Sequence, residues 1–303
     1  MNSFLQKLSA GARVGIVAPA GVYSPDGLEE AVAFLQSRGF ECVLGPRLGS
    51  RHRYLAGTDS ERLADLEWGL RNPDLDALWM ARGGYGINRL LEDLDFQGLD
   101  NRPVIGFSDV TSLLVALHQV GGKSGIHGPV LHSLTRHPDK ASVAHLLELL
   151  EGKRGFAWSG ETWRPGTATG PVVGGNLCML ASLCGTAWQL QAEGCILILE
   201  EVGEAPYRVD RMLQQLRSSG CLNGIAGVAV GSFTGFAVPE GEEWGLRELV
   251  LEAVDVPVIG GLPVGHGTEN HGFVYGAVAR IEGERLVFQT PADKGRAPQR
   301  GAV

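Results

Sequence analysis

Short apolar runs alternate with amphipathic stretches along the first 120 residues of this chain, and glycine marks many of the changeovers. Val14–Val17, Glu41–Leu44, Leu75–Met80 and Val104–Phe107 read as strands, because each is brief and largely apolar. Between them, Ser24-Pro25-Asp26 signals a helix start, Leu28, Val32 and Leu35 recur at helical spacing, and Gly39 ends the run. Leu63, Leu66 and Leu70 share one face of a helix over Asp59–Leu70, and Ile87–Leu94 and Asp109–Val120 read as two more. Strands joined through helices must run parallel in a sheet covered on both faces. This pattern predicts an α/β protein. The 44 glycines suit it, since tight strand-to-helix turns need the backbone freedom that only glycine has without steric cost.

With 303 residues the chain exceeds what one core usually spans, so two lobes are expected. The predicted divisions are an N-terminal lobe over 1–137, a connection over 138–170 where a helix (Val143–Leu150) leads into a polar stretch rich in Trp, Gly and Thr, and a C-terminal lobe over 171–303. The second lobe reads as Gly174-Gly175-Asn176 and a helix through Leu183, a strand Cys195–Leu199, a helix Val209–Arg217, a strand Ile225–Val230, a helix Trp244–Ala253 and a strand Val256–Ile259. Two antiparallel strands near Val274–Ile281 and Arg285–Gln289 make its sheet mixed, and the tail after Pro291 is expected to fray.

The formal net charge is −8 and no Lys/Arg run occurs, which argues against nucleic-acid binding. Met1–Ala12 has no apolar segment of signal-peptide length and no run reaches transmembrane length, so a cytoplasmic protein without membrane contact is expected. Cys42, Cys178, Cys184, Cys195 and Cys221 show no CxxC or Cys/His ligand spacing, which predicts neither a disulfide framework nor a zinc site.

Three positions stand where open α/β sheets carry their chemistry. Ser108 follows the strand Val104–Phe107 and precedes a helix, a turn that lifts a serine above the sheet with backbone N–H groups beside it. The run departs from the G-x-S-x-G elbow at Val110, and a serine there can also simply cap the helix. Glu200 ends the strand Cys195–Leu199, and His266 sits between two glycines in a loop after Val256–Ile259. His127, His132 and His271 have no better context. Arg82-Gly83-Gly84-Tyr85-Gly86 forms a glycine loop after a strand, suited to a phosphate or an oxyanion. A serine, an acid and a histidine, each at a strand end, match triad logic, in which order along the chain is free.

The sequence resembles the serine LD-carboxypeptidases, the family of murein tetrapeptide carboxypeptidases and microcin C immunity peptidases. The resemblance is carried by Val17-Ala18-Pro19-Ala20-Gly21, Arg53–Thr58, Arg82–Gly86, Gly106-Phe107-Ser108-Asp109, Gly174–Leu177, Leu199–Glu204 with Arg208–Arg211, and Gly265-His266. It implies a Ser108–Glu200–His266 triad with its site between the lobes, a homodimer, no metal and no other cofactor. It also implies a peptide substrate cut between an L-centre (meso-diaminopimelate or L-Lys) and a terminal D-Ala. The oxyanion donors are expected to be the N–H groups of Asp109 and Gly84, and Gly83, Tyr85 and Asn176 are expected to touch substrate. Two rivals remain at this level: a microcin-type peptidase cutting a peptidyl nucleotide, and a non-catalytic nucleotide or sugar-phosphate binder using the same glycine loops.

Overall fold

The computed structural model describes residues 6–121, 125–135 and 140–290. In the first lobe, β1 (Arg13–Val17), α1 (Pro25–Ser37), β2 (Glu41–Leu44), α2 (Asp59–Arg71), β3 (Ala77–Met80), β4 (Val104–Gly106), α3 (Thr111–Gln119), β5 (Gly125–His127), α4 (Leu131–Leu134) and α5 (Lys140–Leu150) follow in order. β2, β1, β3, β4 and β5 lie side by side, all parallel. The middle strands are apolar on both faces, as a sheet covered by helices on each side requires.

The chain continues with β6 (Ala157–Ser159), β7 (Glu161–Arg164), β8 (Thr167–Asn176), α6 (Leu177–Ser182), β9 (Ile196–Val202), α7 (Pro206–Ser218), β10 (Gly227–Thr234), α8 (Leu246–Ala253), β11 (Val258–Gly260), β12 (Phe273–Val274), β13 (Val278–Glu282) and β14 (Arg285–Phe288), which except for β12 form the second lobe. Its eight-stranded sheet runs β6-β14-β13-β8-β9-β10-β11-β7, parallel from β8 to β11 and antiparallel outside. The two-lobed α/β architecture with a mixed second sheet is the one the sequence pattern predicts.

Three elements differ from expectation. Residues 138–170 are no bare connection, although 136–139 lie outside the described residues. α5 packs Val143, Leu146, Leu147 and Leu150 into the first lobe's core, whereas β6, β7 and the start of β8 pair in the second sheet. The expected strand over Val274–Ile281 is two strands. β12 adds an antiparallel edge to the first sheet, pairing Phe273 with His127, and β13 belongs to the second. The chain changes sheets at Tyr275-Gly276-Ala277, so the lobes share a stitch. Finally, Ile87–Leu94 makes only a 3₁₀ turn over Ile87–Arg89, followed by further turns. Leu90 and Leu94 are buried all the same, because consecutive turns reproduce the i, i+3, i+4 spacing of a helix. The tail after Pro291 lies outside the described residues.

Arg62 of α2 ties the loops of the first lobe together. It is 1% exposed, and its guanidinium donates to the carbonyls of Pro19, Gly57 (3.3 Å) and Gly86 (3.0 Å) and to Asp59 Oδ1 (2.5 Å). Planar donors in a fixed fork suit such a cluster of carbonyls. Arg62→Met would keep the apolar stem but leave those carbonyls without a donor. It should lower stability by about 3 kcal/mol, read as a drop in the urea midpoint followed by circular dichroism. An unchanged midpoint would mean that the loops are held by something else.

Candidate active site

The ends of β4 and β9 come together: the ring of Phe107, just beyond β4, lies 4.7 Å from that of His266, which Glu200 of β9 holds. At the end of β4 the chain turns so tightly that Ser108 takes φ 63°, one of two non-glycine residues among those described in the left-handed region. A non-glycine residue there stores about 1 kcal/mol of strain. A 3₁₀ turn over Ser108–Val110 leads into α3, and the N–H of Val110 bonds back to the carbonyl of Phe107. Ser108 is therefore not a helix cap of the ordinary kind; it is the first residue of the turn itself. The glycine loop lies against it, close enough that a Cβ on Gly83 would stand 3.2 Å from Ser108 Oγ.

The next residue, Asp109, is buried and locks this turn to the loop. Its Oδ2 accepts from the N–H of Ile87 at 2.9 Å. Burial raises its pKa to about 6, against the lowering pull of the Ile87 and Gly86 N–H groups and of the Arg62 charge. Tyr85 stands exposed at the rim, its ring 6.1 Å from that of Tyr54.

Glu200 lies within β9, entirely removed from solvent, and its Oε2 is 2.7 Å from His266 Nδ1. The loop carrying His266 is held at three points: Gly265 N–H donates to Asn270 Oδ1 (3.0 Å), Gly267 N–H to Ser232 Oγ (2.8 Å), and Thr234 Oγ1 to the His266 carbonyl (3.1 Å). Gly265 has to be glycine. Its φ is 111°, and a Cβ would fall 2.7 Å from Glu200 Oε2. Burial pulls the His266 pKa down, but the hydrogen bond and charge of Glu200, with a smaller effect from Glu201, outweigh it, so His266 titrates above the ordinary histidine value. Among the hydrogen bonds of the described residues none joins Ser108 to His266. The two are linked through Phe107, whose ring lies 4.7 Å from the imidazole. Loose nucleophile–base geometry is common without substrate.

Glu201 points elsewhere, as strand alternation requires. Its carboxylate accepts from Cys178 N–H (2.7 Å), Val202 N–H (2.8 Å) and Asn176 Nδ2 (3.0 Å), at the start of α6. Asn176 is taken up in the same cluster: its Oδ1 caps α6 by accepting from Met179 N–H at 3.1 Å, and the residue is buried. Both ends of its amide are thus engaged at the start of α6. Ser232, Asn270 and Arg62 were not singled out from sequence. Each is a polar residue in an unremarkable local context, and only the third dimension brings it to these loops.

The left-handed turn has a measurable signature. Ser108→Gly should be about 1 kcal/mol more stable than Ser108→Ala, because glycine takes φ 63° without strain and alanine does not. Thermal midpoints of the two variants decide it, and equal midpoints would mean the turn is unstrained.

Residues 14–128 match the profile of the LD-carboxypeptidase N-terminal domain and residues 169–281 that of its C-terminal domain. The murein tetrapeptide carboxypeptidase of Pseudomonas aeruginosa is 38% identical over 294 residues, covering 90% of this chain and 94% of its own. The crystal structure of muramoyltetrapeptide carboxypeptidase from Oxalobacter formigenes superposes with a TM-score of 0.83 at 30% identity, over 91% of this chain and 98% of that one. MccF in complex with glutamyl sulfamoyl guanosine shares the fold, with a TM-score of 0.86 at 22% identity over 95% and 98% of the two chains. With both domain profiles matched and a relative this similar over nearly its full length, the chain belongs to the LD-carboxypeptidase family and is a serine-type peptide hydrolase.

Proposed function

We propose that the enzyme removes the terminal D-Ala from murein tetrapeptides in the cytoplasm during peptidoglycan recycling. It cuts after the L-centre of meso-diaminopimelate or L-Lys and works as a homodimer with no metal. The observation that carries the reading is the 2.7 Å bond between a wholly buried Glu200 and His266, on a loop whose imidazole packs on the residue preceding Ser108. A phosphate-binding protein has no need of such a pair. The name of the Pseudomonas relative supports the substrate class.

In this scheme His266 takes the Ser108 proton as Oγ attacks the scissile carbonyl, and later passes it to the leaving amine. Glu200 holds Nδ1–H, which keeps Nε2 free as the base and stabilises the imidazolium. The N–H groups of Asp109 and Gly84 receive the developing oxyanion, a contribution of about 3 kcal/mol per well-placed donor. Gly83 leaves the acyl group room beside Ser108, and Tyr85 forms part of the rim. The second reading is a peptidase that cuts peptidyl nucleotides, favoured by the fold shared with MccF.

Ser108→Ala should stay folded and lose activity by several orders of magnitude. The parent enzyme should cleave peptides ending in L-Lys-D-Ala and reject those ending in L-Lys-L-Ala or in a C-terminal amide; similar rates on all three would overturn the substrate assignment. An aspartyl or glutamyl nucleotide assayed beside them separates the second reading.

The pH profile tests the acid. Because His266 must be neutral to act and its pKa is raised above 6.5, kcat/KM should fall as the pH drops through a midpoint above that value. Glu200→Gln should cut kcat by orders of magnitude and move the midpoint down. Glu201→Gln should instead cost about 1–2 kcal/mol of stability, read in urea, with little change in kcat. The opposite pattern would exchange the roles of the two carboxylates.

A further inference from the structure

Beneath the site lies a second histidine that the scheme above leaves unused. His127 ends β5 and is wholly enclosed. Its ring stacks on Phe273 with centroids 4.9 Å apart and meets the edge of Phe107 at 5.9 Å; Phe107 in turn touches His266. Neither of its ring nitrogens has a hydrogen-bond partner among the described residues. For packing alone a phenylalanine would serve better, since enclosing an unpaired polar group is unfavourable. Glu200 Oε1 is in the same condition: it is buried and unpartnered, while Oε2 holds His266.

These two unsatisfied groups belong to one cluster. The charges of Glu200 and His266 both act on His127. Gly175 of β8 is what admits the ring, since with φ 137° it lies so close that a Cβ would fall 3.0 Å from His127 Nδ1. The following residue, Asn176, is the register partner of Glu200 on β9. Burial lowers the pKa of His127 to about 4, so at neutral pH the ring carries one N–H to donate.

We propose that His127 is a positioning residue of the site, whose N–H reaches Glu200 Oε1 across one bridging water and so keeps Oε2 on His266. A carboxylate held at both oxygens has its plane fixed, and the Nδ1 bond then persists while charge moves on and off the imidazole. The inference rests on the triad reading.

His127→Phe keeps the shape packed between Phe107 and Phe273 and removes the donor; His127→Gln keeps a donor. Both are assayed beside Glu200→Gln for kcat, KM and the acid limb of the pH profile. His127→Phe should lower kcat by about 10–100-fold at nearly constant KM. Its acid limb should move to higher pH, because a carboxylate without its second hydrogen bond holds the imidazolium more tightly. His127→Gln should recover most of the rate. A folded His127→Phe with parental kcat and pH profile overturns the proposal, as does a folded His127→Gln as impaired as His127→Phe. If Glu200→Gln is fully active, the triad falls and this inference with it; if Glu200→Gln is dead and His127→Phe is normal, only the inference falls. Should His127→Phe fail to fold, ¹⁵N spectra of the native enzyme decide. The His127 N–H resonance should be slow to exchange and should shift in Glu200→Gln, and an unshifted resonance overturns the proposal.

Discussion

Glu200 is a carboxylate with no surface in water, and much of the second lobe is arranged to make that tolerable. A buried charge of this kind is stable only if it is paired and hydrogen-bonded. Its partner His266 comes from a loop well over fifty residues further along the chain, held by Ser232 from β10 and by Asn270 from beyond the turn. Gly265 has no side chain because Glu200 occupies that space. Raising the pKa of His266 and holding its tautomer are two results of the same contact, so the electrostatics of the site and the packing of the loop cannot be altered separately.

The first lobe solves a different problem, that of keeping a strained turn in place. Ser108 can remain left-handed because the residues around it are over-determined. Asp109 grips the N–H of Ile87, Val110 bonds back to Phe107, and Arg62 gathers the carbonyls of Pro19, Gly57 and Gly86. The backbone N–H groups beside Ser108 are thereby held in place, which is what the proposed oxyanion site needs. β12 ties the lobes together, since a strand from the C-terminal part of the chain pairs with the edge of the N-terminal sheet at His127.

Several features could be read from the sequence because their cause is local. The first sheet shows in its apolar runs, and Ser108, Glu200 and His266 stand out because each comes at the end of, or in a glycine-rich loop beyond, an apolar run. β8 is not legible in the sequence, although its burial alternates over Thr167–Val172, because the inward residues Ala168 and Gly170 are small and carry little hydrophobic signal. Ile87–Leu94 reads as a helix for the converse reason: its apolar spacing is helical, but successive turns satisfy that spacing equally well. The capping role of Asn176 is not legible in the sequence, because an asparagine between a strand and a helix serves equally as a cap or as a ligand-facing group, and its partner Glu201 lies on another strand.

The sequence by itself determined the alternation of strands and helices, the parallel direction of the strands, and the turns at which chemistry-bearing side chains emerge, because periodicity and turn chemistry act over a few residues. Tertiary structure alone decided which of two adjacent carboxylates faces His266, where β12 pairs, and which polar residues hold the loops. Strand alternation guarantees that Glu200 and Glu201 point to opposite faces, but the packing of α6 on one face and of the His266 loop on the other is set by contacts between segments distant in the chain, and no local pattern encodes those.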